Sequence, residues 1–300
     1  MKLNGVFPPL TTPYAADGSL ALDKLRANVA RYGTLGVAGF VATGSTGESV
    51  LLKRAESEQV WAAVAEAAPA GLTLIAGTGT DSTAETIDRS NRAAELGYHA
   101  ALVKTPYYYK NQMLPELFAA HFERVADQSR IPIMIYNVPV FTGVSVEAPL
   151  VAKLARHPNI IGLKESSGVV QRVEEIIAAA PESFQVLVGS GTTFFAALSM
   201  GAQGGILAIA NVFPAVCVEL YKAAQRGDMA KARELQYRLL EPTRVLNSRL
   251  GIPALKYGMD LQGFYGGAAR APFLPLTDAQ KKEVEHIVNV ANGATVSVSA

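Results

Sequence analysis

Ile131-Pro132-Ile133-Met134-Ile135-Tyr136-Asn137-Val138, followed further along by Ile160-Ile161-Gly162-Leu163-Lys164-Glu165-Ser166, is the stretch that decides the fold. Both runs are apolar on successive residues rather than on alternate ones. A strand covered on both faces reads this way. Between them Ser145 stands as a candidate N-cap, and Lys153, Arg156 and His157 precede Pro158. Those cations fall where the negative end of a helix dipole would lie. Strand, helix and strand together form the repeating unit of a parallel sheet.

Runs of the same kind recur on both sides, at 6–12, 39–43, 72–77 and 100–105 upstream and at 185–189 and 204–210 downstream. The spacing leaves room for a helix and two loops after most strands. Leu22, Leu25, Val29 and Tyr32 share one helical face, and Gly33 follows as a stop. Ser82-Thr83-Ala84-Glu85 reads as a capping box, with Gly97 ending that helix. Eight such units predict an α/β protein, a (β/α)8 TIM barrel. A doubly wound open sheet is the competitor, but no dinucleotide-type G-x-G-x-x-G follows the first strand. After Ala215 the pattern turns helical, with amphipathic segments at 229–240, 250–261 and 278–289, the last led by Thr277 as N-cap. We therefore expect a barrel over residues 1–225 and a C-terminal helical extension over 226–300 packed on it, ending in a loose tail at 296–300.

Length and composition agree. The chain has 300 residues, 49% hydrophobic and 18% charged, which suits one large globular barrel. Lys+Arg 27 against Asp+Glu 26 leaves a net charge of +1, so nothing draws the chain to nucleic acid or to an anionic membrane. The one cysteine, Cys217, lies in a helical stretch and reads as a small core residue; no internal disulfide can form. His99, His121, His157 and His286 stand far apart, and no H-x-x-x-H pair suggests a metal. There is no apolar run of about 18 residues and no signal-peptide pattern, so a cytoplasmic location is expected.

In a parallel barrel the chemistry gathers where strands end. The second strand runs into Gly44-Ser45-Thr46-Gly47-Glu48-Ser49, a loop able to turn backbone N–H groups toward a small carboxylate or phosphate, or to serve as a plain glycine turn. The sixth ends at Lys164. If that lysine points into the barrel, burial favours its neutral amine, which can attack a carbonyl and form a Schiff base. Exposure at the strand mouth is the commoner fate of a lysine. The fourth strand ends as apolar a run in Lys104, and periodicity does not choose between the two. Tyr136 closes the fifth strand as a proton carrier or as a buried ring. Tyr107-Tyr108-Tyr109 reads as packing or interface surface. The Gly189-Ser190-Gly191 loop has no adjacent cation and reads as a turn or a close ligand approach.

Several motifs in order then resemble the pyruvate-dependent class I aldolases related to dihydrodipicolinate synthase and N-acetylneuraminate lyase. They are Gly5-Val6-Phe7-Pro8-Pro9-Leu10-Thr11-Thr12-Pro13, Gly44-Ser45-Thr46-Gly47-Glu48, Lys104-Thr105-Pro106-Tyr107-Tyr108, Tyr136-Asn137-Val138-Pro139 and Gly162-Leu163-Lys164-Glu165-Ser166. The later half is most similar to 4-hydroxy-2-oxoglutarate aldolase, through Gly251-Ile252-Pro253-Ala254-Leu255-Lys256, Gly263-Phe264-Tyr265-Gly266-Gly267 and Arg270-Ala271-Pro272. The resemblance runs to about Leu274. It implies that Lys164, not Lys104, is the Schiff-base lysine and that Tyr136 relays protons. Ser45 matches the hydroxyl of the proton relay, and Thr46 the residue whose N–H holds the pyruvate carboxylate. Tyr108 matches a tyrosine that enters a neighbouring subunit's site. Gly189 and Ile206 match positions lining the pyruvate pocket, and Ser166 a serine facing the substrate. One position departs. Where the synthases typically carry an arginine for the carboxylate of the aldehyde, this chain has Phe141, and a phenyl ring cannot make that bidentate contact.

The resemblance thus implies an enzyme that handles 2-oxo acid and aldehyde substrates through a covalent Schiff base, with no metal or other cofactor, in a homotetramer. Cleavage of 4-hydroxy-2-oxoglutarate to pyruvate and glyoxylate is the first expectation. Condensation of pyruvate with aspartate semialdehyde is the alternative, and a sugar-acid aldolase or dehydratase is third. A 2-oxo-acid-binding sensor without turnover is the non-enzyme alternative. A phosphate-binding isomerase would need a basic seventh- or eighth-strand loop, which is lacking.

Overall fold

The computed structural model describes residues 1–293. The tail expected at 296–300 lies outside them. Eight parallel strands follow the chain: β1 Gly5–Phe7, β2 Gly39–Ala42, β3 Thr73–Gly77, β4 Ala100–Lys104, β5 Ile133–Asn137, β6 Ile160–Glu165, β7 Gln185–Val188 and β8 Gly204–Ile206. From β2 to β8 each strand pairs with the next, and β1 pairs with β8 through Gly5↔Gly204 to Phe7↔Ile206. Between β1 and β2 the ring is closed by three backbone bonds. The Ala38 N–H donates to Val6 O (2.9 Å), Val41 N–H to Pro8 O (3.1 Å) and Leu10 N–H to Val41 O (2.9 Å). This is the expected (β/α)8 barrel.

The strands at the seam are shorter than the apolar runs. Pro8 and Pro9 carry no N–H for a ladder, and Ala208–Asn211 tightens into a 3₁₀ turn. One face of the strands fills the lumen with Phe7, Val41, Ile75, Leu102, Met134, Tyr136, Leu187 and Ile206. The other face, including Phe40, Leu74, Val103, Ile135, Leu163 and Val186, packs under the helices. Two buried faces explain the unbroken apolar runs.

Two local expectations are corrected. Ser145 caps nothing: the helix begins at Ala148, with Glu147 before it and Pro149 in the first turn, where a missing N–H costs no bond. Ser82 does accept the Glu85 N–H (3.2 Å), but the reciprocal half of the box is absent. The Ser82 N–H goes instead to Thr80 Oγ1, and the Glu85 carboxylate pairs with Arg54 (2.9 Å).

Beyond the barrel, helices span Met229–Pro242, Ile252–Leu261 and Asp278–Ala291, with a π-helical turn at Thr243–Arg249. Thr277 caps the last helix in a full capping box with Gln280. Phe264 stacks on Tyr32 (ring centroids 4.2 Å apart), and Lys256 Nζ donates to Thr12 O and Ala268 O (2.8 Å each). The extension is thereby fixed to the barrel's β1 and β2 side. Among the described residues no helix is long and apolar enough to cross a membrane, and no cluster of three His, Cys, Asp or Glu side chains could hold a metal. Cys217 is buried, and burial pushes its thiol far above the usual range.

Candidate active site

Lys104, Tyr136, Lys164 and Leu187 stand in one register row across β4 to β7. Residues in register on parallel strands point to the same side. Tyr136 and Leu187 belong to the lumen core, so both lysines face inward. The choice left open by the sequence is therefore one of depth. Lys164 is 4% exposed, and its Nζ lies 4.2 Å from the Tyr136 ring centroid. Lys104 is half-buried at the mouth, and its Nζ donates to Gly79 O (2.7 Å). Burial lowers its pKa, partly offset by Asp81. Glu165, beside Lys164 in sequence, faces away: its oxygens accept from Asn137 Nδ2 (2.8 Å) and the Ser167 N–H (2.7 Å).

The Tyr136 hydroxyl reaches Ser45 Oγ at 3.3 Å. Ser45 opens a 3₁₀ turn, Ser45–Gly47, in which the N–H groups of Gly47 and Glu48 bond back to Gly44 O and Ser45 O. The preceding amides, those of Ser45 and Thr46, are the ones such a turn leaves over. Strained residues flank the loop. Thr43 and Glu48 have φ of 54° and 57°, a left-handed region that costs a residue with a side chain about 1 kcal/mol or more. Thr43 is held by its hydroxyl, which accepts Trp61 Nε1–H (2.6 Å) and donates toward Ala42 O (2.8 Å). Glu48 is held by Lys256 Nζ (2.6 Å) and the Arg270 N–H (2.8 Å).

Ser166, Gly189 and Lys164 meet on the β6–β7 side. A Cβ on Gly189 would fall 1.8 Å from Ser166 Oγ and 2.9 Å from Lys164 Cε, so only glycine leaves both in place. Ser166 Oγ is buried without a hydrogen-bond partner. Ile206 lies wholly buried in the lumen. Two residues stand apart from this group. Tyr108 is 73% exposed and stacks edge-on with Tyr109, its N–H held by Asp81 Oδ1 (2.9 Å). Phe141 is exposed on the short helix Pro139–Thr142 that follows β5.

Ser45, Lys104 and Tyr136 line a cavity of about 260 Å³ at the barrel mouth, together with Thr43, Thr80 and Arg89. Sequence reasoning missed Arg89. The signal was available: Thr86, Arg89, Ser90 and Ala93 form the buried stripe of helix Thr83–Glu95, and an arginine in such a stripe is unusual. A larger groove of about 640 Å³, lined by His121, Met113 and Leu117, contains none of the residues around Lys164.

Comparison with known proteins adds to this geometry. The profile of the Dihydrodipicolinate synthetase family matches residues 2–291. The 4-hydroxy-tetrahydrodipicolinate synthase of an Exiguobacterium species is 37% identical over 273 residues, 91% of this chain and 92% of that protein. The crystal structure of dihydrodipicolinate synthase from Aquifex aeolicus superposes with a TM-score of 0.91 at 30% identity, covering 97% of this chain and 98% of that one. A chloride-inhibited dihydrodipicolinate synthase from Acinetobacter baumannii, complexed with pyruvate, gives a TM-score of 0.92 at 29% identity over 97% and 99% of the two chains. These relatives carry the synthase's name, and the expected leaning toward 4-hydroxy-2-oxoglutarate aldolase draws no support from them.

Proposed function

Because the chain belongs to the dihydrodipicolinate synthetase family, whose members are pyruvate-dependent Schiff-base enzymes of the aldolase and lyase class, we propose that Lys164 forms the Schiff base and that Tyr136 and Ser45 carry the protons. The observation that supports this most is the buried Lys164 Nζ lying 4.2 Å from the ring centroid of Tyr136, whose hydroxyl is 3.3 Å from Ser45 Oγ. The neutral amine attacks C2 of a 2-oxo acid, and loss of water leaves an iminium. In the synthetic direction a proton leaves C3, and the resulting enamine attacks an aldehyde. In the cleavage direction the iminium takes up the electrons of the C3–C4 bond, releasing the aldehyde. Tyr136 protonates the new alkoxide in the first case and deprotonates the C4 hydroxyl in the second, with Ser45 passing the proton onward. The spare amides of Ser45 and Thr46 hold the pyruvate carboxylate, so the iminium forms in one orientation. Gly189 and Ile206 bound the pyruvate pocket, and Ser166 faces the bound substrate.

For the aldehyde, the names of the relatives support aspartate semialdehyde and synthase activity. A second reading, cleavage of 4-hydroxy-2-oxoglutarate, is favoured by Phe141, which cannot bind a carboxylate as an arginine there would. Exposed Tyr108 and Tyr109 fit a homotetramer in which Tyr108 completes a neighbour's site. Sedimentation of a fully active monomer would contradict this assembly.

Borohydride reduction in the presence of pyruvate, followed by peptide mass mapping, tests the chemistry. The expected result is one adduct, on Lys164, lost in Lys164→Ala. An adduct on Lys104, or none, would refute the assignment. Turnover with aspartate semialdehyde and with 4-hydroxy-2-oxoglutarate then chooses the aldehyde.

A further inference from the structure

The cavity at the barrel mouth holds two cations that the reaction scheme leaves unused. Arg89 is 9% exposed, and its Nε is buried without a hydrogen-bond partner. Its guanidinium lies 5.2 Å from the Trp61 ring. The two carboxylates that act on it, Glu85 and Glu58, are engaged by Arg54 and Arg92. Lys104 lines the same cavity and has one carbonyl bond, to Gly79 O. The acid on this side, Asp81, also lines the cavity, and its Oδ1 already accepts the N–H groups of Tyr107 and Tyr108. A buried guanidinium with an unmade bond is costly unless something fills it. Thr43, Ser45 and Thr80 add hydroxyls to the lining, and Tyr136, whose ring centroid lies 4.2 Å from Lys164 Nζ, is part of it.

We propose that Arg89 and Lys104 form a carboxylate subsite, which takes the second carboxylate of a dicarboxylic substrate whose C2 is bound to Lys164. The pair would supply from β4 and the helix after β3 the cation that position 141 lacks after β5. This inference rests on the Schiff-base reading above and deepens it, because it assigns the substrate a charge at its far end.

The test needs no knowledge of the true aldehyde. 2-Oxoglutarate carries a far carboxylate and no C4 hydroxyl, so it can be trapped on Lys164 but not cleaved. 2-Oxopentanoate has the same carbon chain without that carboxylate. Half-saturating concentrations for borohydride trapping are compared for these two acids and pyruvate. We expect the wild-type chain to prefer 2-oxoglutarate over 2-oxopentanoate at least tenfold. Arg89→Met and Lys104→Met should each remove most of that preference, Lys104→Arg should keep it, and trapping of pyruvate should move less than twofold. No wild-type preference, or a preference that survives in a folded Lys104→Met, overturns the proposal. So does an equal loss of pyruvate trapping, which would place the cations on the C1 carboxylate or in a structural role. If pyruvate itself leaves no adduct on wild-type Lys164, the Schiff-base reading fails, and this one with it. Lys104 lies at the open mouth, so its variants report even if Arg89→Met does not fold.

Discussion

Lys256 Nζ lies 2.6 Å from Glu48 Oε1, and both side chains are fully buried. The pair joins a helix of the C-terminal extension to the loop after β2 that carries Ser45 and Thr46. Burial lowers the Lys256 pKa, while Glu48 pulls it back up. Two carbonyls, Thr12 O and Ala268 O, accept the other ammonium protons. Removing one partner strands the other as a dry charge, at a cost of about 3–5 kcal/mol. We therefore expect Lys256→Met to lose that much stability in urea unfolding. Lys256→Met combined with Glu48→Leu should recover part of it. Pyruvate trapping should fall in the single variant, because Glu48 can no longer hold its left-handed backbone.

Tyr136→Phe removes one oxygen from a lumen already closed around it. Stability should change little, and the adduct with pyruvate should still form on Lys164. Turnover should drop by about 10² to 10⁴, the usual contribution of a positioned acid and base. Ser45→Ala should show a smaller loss in the same steady-state assay, since water can stand in for a relay hydroxyl. Unchanged turnover in Tyr136→Phe would remove the phenol from the scheme.

Replacing Phe141 by arginine tests where the far carboxylate of the substrate is held. If the substrate is aspartate semialdehyde bound without an arginine, Phe141→Arg should lower its KM several-fold. If the far carboxylate is already held by Arg89 and Lys104, the variant should leave the KM for the native substrate unchanged or raise it. Steady-state kinetics with both candidate substrates reads the difference.

His121 supplies a pH dependence of stability. Burial lowers its pKa to about 4 from the ordinary 6.5; its Nδ1 meets Thr83 Oγ1 at 2.9 Å, and its Nε2 has no partner. The folded chain thus binds fewer protons than the unfolded one between these values, so stability is full above about 6.5 and falls as the pH drops toward 4. The loss at pH 4 should be on the order of 3 kcal/mol. Urea midpoints measured across this range should slope in the wild type and flatten in His121→Phe. An equal slope in both would place the titration elsewhere.

The barrel was legible because its strands are buried on two faces, and that burial writes an unbroken apolar run for each. The ends were less legible. Pro8 and Pro9 are as apolar as their neighbours but cannot donate to a ladder, so β1 stops early. At Ser82 the capping motif was present and its first half formed, yet Thr80 and Arg54 took up the Ser82 N–H and the Glu85 carboxylate, the two partners of the reciprocal half. Lys104 and Lys164 could not be ranked from their strands because they share a register row and a facing direction; only depth in the lumen separates them. Arg89 was legible only as an unusual arginine in a helix stripe; its place in a cavity between elements distant in sequence was not. The Glu48–Lys256 pair lay in two quoted motifs, but nothing in either says that they touch.

Gly189→Ala is the smallest change available at that position. Overpacking of this kind costs about 1–3 kcal/mol, and here it would also displace Ser166 and the Lys164 stem. Thermal melts should show a modest drop, and trapping of pyruvate a much larger one. The residue offers no proton, charge or bond, yet it is constrained as tightly as the amine it borders. What it provides is vacancy: the room that the proposed reaction needs beside Lys164 exists because one carbon was never built.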